Sequence, residues 1–210
     1  MIREFMSQQL DYILFIYGLA FIVLAFVTLA LNRIDKDRLP WPWLIHFCFF
    51  HGINEWLEMF AISLGDHFYF SLFRLFILGA SFACLLEFCR IGLQFLKNIK
   101  ISPLVIIVLL SISSLGLLDG LQGLCVTIRY TLGLPGAIAA AFTLWFFRRQ
   151  YYPQSKALVV AVIAFALYAV FTGAIVPATA LYPAVWINQE AFLHVVGLPV
   201  QMFRGMLAFI

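Results

Sequence analysis

Long apolar stretches alternate with short polar breaks along the whole chain. A helix needs about 20 apolar residues to cross the hydrocarbon of a bilayer, and seven stretches approach that length. Charged residues, proline or glycine separate them, as is typical of helix ends at a membrane surface. The pattern predicts seven transmembrane helices, at about residues 10–31, 41–63, 68–93, 103–118, 124–147, 156–176 and 191–210.

Basic residues fall on one side of this predicted bundle. Only Arg3 stands out on the other side. Cytoplasmic loops of membrane proteins carry an excess of lysine and arginine, so we expect an outside N-terminus and a cytoplasmic C-terminus. The predicted fold class is an all-α polytopic membrane bundle of seven helices. Its basic residues follow the first, third and fifth spans: Arg33, Lys36, Arg38, Lys97, Lys100, Arg148, Arg149 and Lys156.

The composition excludes several classes of protein. Hydrophobic residues make up 64% of the 210 residues and charged residues only 11%, whereas soluble domains carry about 25% charged residues. The formal net charge of +3 is scattered, so no nucleic-acid partner is expected. No CxxC pair indicates zinc or thiol redox chemistry, and we interpret the cysteines as small buried apolar residues. They are Cys48, Cys84, Cys89 and Cys125.

The second span holds the densest set of ionisable groups. His51, Glu55 and Glu58 follow each other at spacings of four and three, so they share one face of a helix. Such a face cannot point at lipid without a high cost. With the neighbouring Trp56 they are candidate ligand-binding or signal-sensing residues, while hydrogen bonding between helices is the structural alternative. Gly52 would let another backbone or a flat ligand approach closely.

The seventh span holds a second candidate set. His194, Gln201 and Arg204 are seven and three residues apart, which predicts a single stripe on a continuous helix. Gly197 and Pro199 lie between them and should kink that helix. We therefore add the three polar residues to the candidate site.

Arginines within spans need partners. A rise of about 1.5 Å per residue places Arg204 in the cytoplasmic half of its span and favours Glu87 as its carboxylate partner. Glu87 also precedes Arg90 by three residues, so those two should pair. Arg74 and Arg129 lie near outer ends, where they could attract an anionic headgroup or ligand. Snorkelling to the interface explains either of them alone.

Two other uses of these residues stay open. His51 and His194 could be axial ligands of haem b, with His46 as a further candidate, although the different depths of His51 and His194 argue against the pair. The cofactor and metal content are otherwise unknown. The same ionisable groups could instead form the path of a proton-coupled transporter, which would require broken helices that face each other. No serine or cysteine motif beside the histidines indicates an intramembrane hydrolase.

Four short motifs carry a family resemblance. They are FIYGLAF at 15–21, HGINEW at 51–56, LEFCR at 86–90 and GLPVQMFR at 197–204. Together they resemble the N-terminal seven-helix membrane-associated sensory domain of bacterial sensor histidine kinases and GGDEF-type diguanylate cyclases. The pair HGxxEW and GxPVQxxR is the most specific part of this resemblance.

The resemblance implies a sensory input module in the bacterial inner membrane. Such a module would detect a membrane-borne, redox or small-molecule stimulus, form a homodimer, and pass the signal through its seventh helix to a kinase or cyclase domain. The membrane region itself is not expected to be an enzyme. The last span is still apolar at Ile210, which fits the expectation of a cytoplasmic output domain after residue 210.

Overall fold

The computed structural model describes residues 9–34 and 39–210, and this part of the chain is all-helical, as predicted, with a single isolated bridge and no strand. Three of the basic residues named above, Arg3, Lys36 and Arg38, lie outside the described residues. The elements are α1 (Leu10–Ile34), α2 (Trp41–Leu64), α3 (Phe68–Lys97), α4 (Leu104–Ser113), a 3-10 turn (Ser114–Asp119), α5 (Gly120–Ile128), a first π turn (Arg129–Gly133), α6 (Leu134–Tyr151), α7 (Lys156–Tyr168), a second π turn (Ala169–Ala174), α8 (Gln189–Val196) and α9 (Val200–Phe209).

Six helices close a ring around a common interior. α1 packs on α2, α2 on α3, α3 on α6, α6 on α7, α7 on α9, and α9 returns to α1. Large aromatic side chains such as Phe47 and Phe82 are fully buried between them. Outward-facing positions such as Phe26 and Phe76 are exposed and apolar. The ring therefore shelters an interior that can hold polar groups while its outer faces suit lipid.

Four helical runs within the described residues are long and apolar enough to cross a membrane. They are Leu10–Ile34, Phe68–Lys97, Leu104–Tyr151 and Lys156–Ala174, and α8 with α9 makes a fifth if the bent pair is one span. The helix α2 has 24 residues but is not among these runs, since polar groups interrupt its apolar residues. It nevertheless lies in the ring between α1 and α3.

The run from 104 to 151 reverses direction. A Cβ on Gly116 would lie 2.5 Å from the carbonyl oxygen of Gly123, so the chain passes itself closely there. The hydroxyls of Ser113 and Thr131 meet at 2.5 Å. α4 is thus antiparallel to α5, and the break predicted between the fourth and fifth apolar stretches is present.

The last predicted span is broken rather than continuous. Gly197 adopts a left-handed φ of 82°, and its N–H closes α8 on the carbonyl of Leu193. Pro199 then precedes α9, and α8 and α9 meet at 87°. The predicted kink at Gly197 and Pro199 is confirmed. The predicted single stripe of His194, Gln201 and Arg204 is wrong, because the helical register restarts after Gly197.

A segment that we call the covering loop, residues 175–188, crosses one end of the ring. Val176 is buried and forms a bridge with Asn188, and the N–H of Gln189 donates to the Val176 carbonyl at 2.9 Å. The Gln122 side chain at the start of α5 donates to the carbonyl of Ala178 at 2.9 Å. The two ends of the covering loop are therefore hydrogen-bonded to each other, and its Ala178 is bonded to the first turn of α5.

Candidate functional site

His51 lies at the centre of the ring and connects four of its helices. Its Nδ1 is 3.2 Å from the hydroxyl of Ser81 on α3. Its Nε2 is 2.6 Å from the hydroxyl of Tyr168 on α7 and 3.2 Å from that of Tyr17 on α1. Glu55, one turn along α2, places a carboxylate oxygen 3.5 Å from the same nitrogen. We call these five residues the His51 cluster.

The hydrogen bonds of Ser81 assign the tautomer of His51. The Ser81 hydroxyl donates to the carbonyl of Leu78 at 2.8 Å, and a hydroxyl has only one hydrogen to donate. Ser81 must therefore accept from an N–H at Nδ1, which leaves Nε2 as an acceptor for the hydroxyl of Tyr168. Both ring nitrogens are engaged, and this arrangement favours a hydrogen-bonding role for His51 over iron ligation.

The other two haem candidates lie elsewhere. His46 and His194 are exposed on the outside of the bundle, whereas His51 is fully buried. The structure does not bring the three histidines together. Within residues 9–34 and 39–210, no group of three or more histidine, cysteine, aspartate or glutamate side chains is placed to hold a metal ion.

A polar cavity of about 460 Å³ adjoins the His51 cluster at Glu55. Six helices, the first π turn and the covering loop contribute to it, and its apolar wall includes leucines of α1 and α3. Its volume is in the range of small-molecule sites in proteins. The charged and amide side chains that line it are Glu55, Glu58, Asp66, Arg74, Arg129, Arg204, Gln122, Gln189 and Gln201.

The charges of the cavity separate into a mouth and a floor. At the mouth, Arg74 forms ion pairs with both Glu58 and Asp66. At the floor, Arg129 and Arg204 are only 4% and 1% exposed, and Glu55 is 2% exposed. The mouth thus has two carboxylates for one guanidinium, and the floor has two guanidinium groups for one carboxylate.

Arg204 is held by backbone carbonyls. Its Nε donates to the carbonyl of Phe171 at 2.8 Å and its Nη2 to that of Ile175 at 2.7 Å. These carbonyls belong to the second π turn and the residue after it, where the helical hydrogen-bond pattern is interrupted. The second π turn therefore provides the carbonyl groups that bind the Arg204 guanidinium.

The expected pairing of Arg204 with Glu87 is wrong. Glu87 accepts two hydrogen bonds from Arg90, at 2.7 and 2.6 Å, which confirms the other predicted pair. One continuous helix from residue 191 would have placed Arg204 at the level of Glu87. Because Gly197 restarts the register, Arg204 lies only about one turn into α9 and reaches the level of Glu55.

Arg129 begins the first π turn and is buried. Pro135 follows six residues later, and its missing N–H leaves a carbonyl of the preceding turn without its usual donor, which favours a widened turn. The expectation that Arg129 snorkels to the interface is wrong, since its side chain points inward. Its Nε and Nη1 have no hydrogen-bond partner among the described residues.

Trp56 and Gly52 join α2 to α1. The Trp56 indole N–H donates to the carbonyl of Phe15 at 3.1 Å, and its ring stacks on the Phe15 ring. A Cβ on Gly52 would lie 2.8 Å from the carbonyl oxygen of Gly18, so the predicted close backbone approach is confirmed. Trp56 does not line the polar cavity.

The three candidates of the seventh predicted span do not all lie at the cavity. Gln201 lines the cavity, and its amide donates to the side chain of Gln189 at 3.3 Å. Arg204 lies at the floor, as described above. His194 is on the exposed side of α8, away from both.

Sequence reasoning missed the neutral members of the site. Tyr17, Ser81 and Tyr168 carry no charge, so the cost of a charge in lipid does not mark them, although Tyr17 lies in the FIYGLAF motif. Arg129 did have a signal, because a charged residue at the sixth position of the 124–147 apolar stretch would be costly next to lipid. Treating it as an interior residue rather than an interfacial one would have placed it at the site.

The resemblance to sensory domains rests on the four motifs alone. Comparison of the chain with protein-family models, with curated proteins and with solved structures gives no match.

Proposed function

We propose that this chain is the membrane-embedded sensory input module of a bacterial signalling protein. Its stimulus acts at the polar cavity, and α9 relays the change to a cytoplasmic histidine kinase or diguanylate cyclase domain of the same chain, as the resemblance implies. One observation carries the proposal. Arg204 of the last helix and Glu55 of α2 form the floor of the same buried cavity.

Two contacts connect the cavity to the last helix. Arg204 donates to carbonyls at the second π turn and also lines the cavity. A new charge at the floor would therefore attract or repel the guanidinium and so weaken or strengthen its bonds to these carbonyls. Its neighbour Gly205 lies against Tyr17, where a Cβ would be 3.3 Å from the Tyr17 Cβ. Tyr17 in turn contacts His51. α9 is therefore coupled both to the cavity and to the His51 cluster.

The energy required for a switch is modest. A tenfold shift between two arrangements of α9 needs about 1.4 kcal/mol of differential binding. One hydrogen bond to a charged group contributes about 1.5–3 kcal/mol. Gly197 gives the chain a flexible joint at the start of α9, so such a shift need not disturb α8.

The topology belongs to the same proposal. We propose seven spans with an outside N-terminus and a cytoplasmic C-terminus in the bacterial inner membrane. The basic ends of α3 and α6 and the start of α7 support a common cytoplasmic side. The turn with Asp66, the turn before α5 and the covering loop would then face outward, and the cavity would open to the outside. Homodimerisation is what the resemblance implies.

A reporter fusion tests the sensory role. A diguanylate cyclase domain is appended after residue 210 through linkers that differ by single residues, which sample the rotational phase of α9. Cyclic dinucleotide is then measured in a bacterial strain that lacks its own cyclases. We expect Glu55→Gln and Arg204→Gln to change the output at unchanged protein level, while Phe76→Ala on the exposed face of α3 leaves it unchanged. Equal output from all variants with every linker would contradict the sensory role.

Proton-coupled transport is the second candidate, and the broken last span favours it. α8 and α9 meet at 87°, and two π turns flank a charged cavity, which resembles the interrupted helices of transporters. Uptake of labelled solutes by proteoliposomes under an imposed proton gradient tests this candidate. Transport would be abolished by Glu55→Gln, and the reporter fusion would be silent.

A further inference from the structure

The floor of the polar cavity contains a guanidinium with two nitrogens that have no partner among the described residues. Arg129 is buried and lines the cavity, and its Nε and Nη1 donate to no atom of the described residues. Guanidinium groups stay protonated in proteins and carry five N–H donors. A buried charge without compensation is strongly unfavourable. Its unused donors therefore indicate an acceptor that the described residues do not supply.

The carboxylates of the cavity are already engaged elsewhere. Glu58 and Asp66 both bind Arg74 at the mouth. Glu55 accepts a hydrogen bond from the amide nitrogen of Asn54 at 3.4 Å. None of them hydrogen-bonds the unpaired Nε and Nη1 of Arg129, so no carboxylate among the described residues of the cavity supplies the acceptor.

Arg204 adds a second positive group, and its hydrogen bonds within the described residues go to neutral oxygens. It donates to the carbonyls of Phe171 and Ile175, which carry no net charge. With Arg129 on one side and Glu55 as the single floor carboxylate, the floor has a formal excess of one positive charge. A ligand with one negative charge balances this excess, whereas a doubly charged phosphate would exceed it.

The geometry points to a carboxylate. The planar fork of a guanidinium matches the two oxygens of a carboxylate, and such pairs are shorter and stronger than neutral hydrogen bonds. The rest of the cavity offers an apolar wall for the remainder of an organic acid. That wall includes Leu10, Leu14, Ile62, Leu75 and Leu121.

We propose that the cavity binds a small monocarboxylic acid, with its carboxylate between Arg129 and Arg204 and its short apolar part along the leucine wall. This inference names the ligand class of the cavity and rests on the proposed function for its biological role. A second carboxylate on the ligand is disfavoured, because it would meet Glu58 and Asp66 at the mouth. The site therefore selects monocarboxylates over dicarboxylates of equal length.

Binding is measured on the full chain purified in lipid nanodiscs, by calorimetry and by thermal unfolding. The probes are hexanoate, adipate, inorganic phosphate and 1-hexanol. We expect saturable binding of hexanoate, with affinities for the other three about tenfold weaker or more, as expected when a charge-assisted pair is lost or opposed. Dodecanoate serves as a membrane-borne acid for comparison. Binding of dodecanoate alone would overturn the small-acid assignment.

Three variants locate the site. Arg129→Gln and Arg204→Gln should each weaken hexanoate binding about tenfold or more, whereas Arg149→Gln, an exposed arginine at the end of α6, should bind as the wild type does. Arg129→Gln removes two donor groups that have no partner among the residues 9–34 and 39–210, so it keeps the test informative if Arg204→Gln does not fold. Unchanged binding by Arg129→Gln, or no binding of any acid by the wild type, would overturn the proposal.

The two proposals fail separately. The binding measurement uses the chain without an output domain, so it does not depend on signalling. Hexanoate binding with a reporter fusion that stays silent would contradict only the sensory role. A reporter that responds to Glu55→Gln in a chain that binds no acid would contradict only the ligand class.

Discussion

The hydroxyl of Tyr168 lies 2.6 Å from Nε2 of His51, across 117 residues of sequence. Tyr168 is the last residue of α7 before the second π turn, whose carbonyls bind Arg204. The bond therefore fixes α7 to α2 just where the helix changes its hydrogen-bond pattern. The His51 cluster and the floor of the polar cavity share this one helix end.

Removing that hydroxyl should destabilise the bundle. Tyr168→Phe leaves Nε2 of His51 with Tyr17 alone at 3.2 Å, so we expect a loss of about 1 kcal/mol in unfolding free energy. Unfolding followed by tryptophan fluorescence in detergent measures it. Tyr69→Phe is the matched control, because Tyr69 is exposed at the start of α3. Equal stability of the two variants would show that the Tyr168 bond contributes nothing.

The close crossing of α1 and α2 should not tolerate a methyl group. A Cβ at Gly52 would be 2.8 Å from the Gly18 carbonyl oxygen, so Gly52→Ala must push the helices apart. We expect a cost of about 1–3 kcal/mol, as for other overpacked interiors. Gly79→Ala is the control, since its nearest atom, on Ile128, is 4.0 Å away. The same unfolding measurement applies, and a neutral Gly52→Ala would contradict the crossing.

Local patterns predicted the parts of the site that depend on a single helix. The spacing of His51, Glu55 and Glu58 placed them together because the period of an α-helix fixes which residues share a face. Glu87 and Arg90 paired for the same reason. All of these residues lie on helices without an internal break.

The remaining parts depend on where helices are interrupted. The position of Arg204 follows from the left-handed turn at Gly197, which moved it from the level of Glu87 to that of Glu55. Its binding partners are carbonyls of a π turn, and carbonyls are the same for every residue type. Pattern reasoning along one chain therefore has no means of choosing them, nor of choosing Tyr168 as the partner of His51.

The joint before α9 should depend on its left-handed backbone. Gly197 has a φ of 82°, and no atom lies within 4 Å of a Cβ built there. Gly197→Ala should therefore cost about 1 kcal/mol through the backbone alone, and Gly197→Asn should cost less because asparagine tolerates this region. Thermal unfolding compares the two. Equal thermal stability of Gly197→Ala and Gly197→Asn would show that the joint does not require this backbone conformation.

A double-mutant cycle distinguishes the observed partners of Arg204 from Glu87, the partner expected for a continuous last helix. Arg204 binds the Phe171 and Ile175 carbonyls, while Glu87 binds Arg90. Arg204→Gln alone should cost about 1.5–3 kcal/mol, because it removes charged donors from buried carbonyls. Glu87→Gln alone should cost less than about 1 kcal/mol, since that pair is partly exposed.

The coupling energies then decide between the two arrangements. Residues without a shared partner have additive effects to within about 0.5 kcal/mol, so Arg204→Gln and Glu87→Gln should add. Glu87→Gln and Arg90→Gln should not add, because each removes the same ion pair. Unfolding free energies of the single and double variants provide both cycles. A coupling between Arg204 and Glu87 as large as that between Glu87 and Arg90 would place Arg204 at the other end of the bundle and remove it from the floor of the cavity.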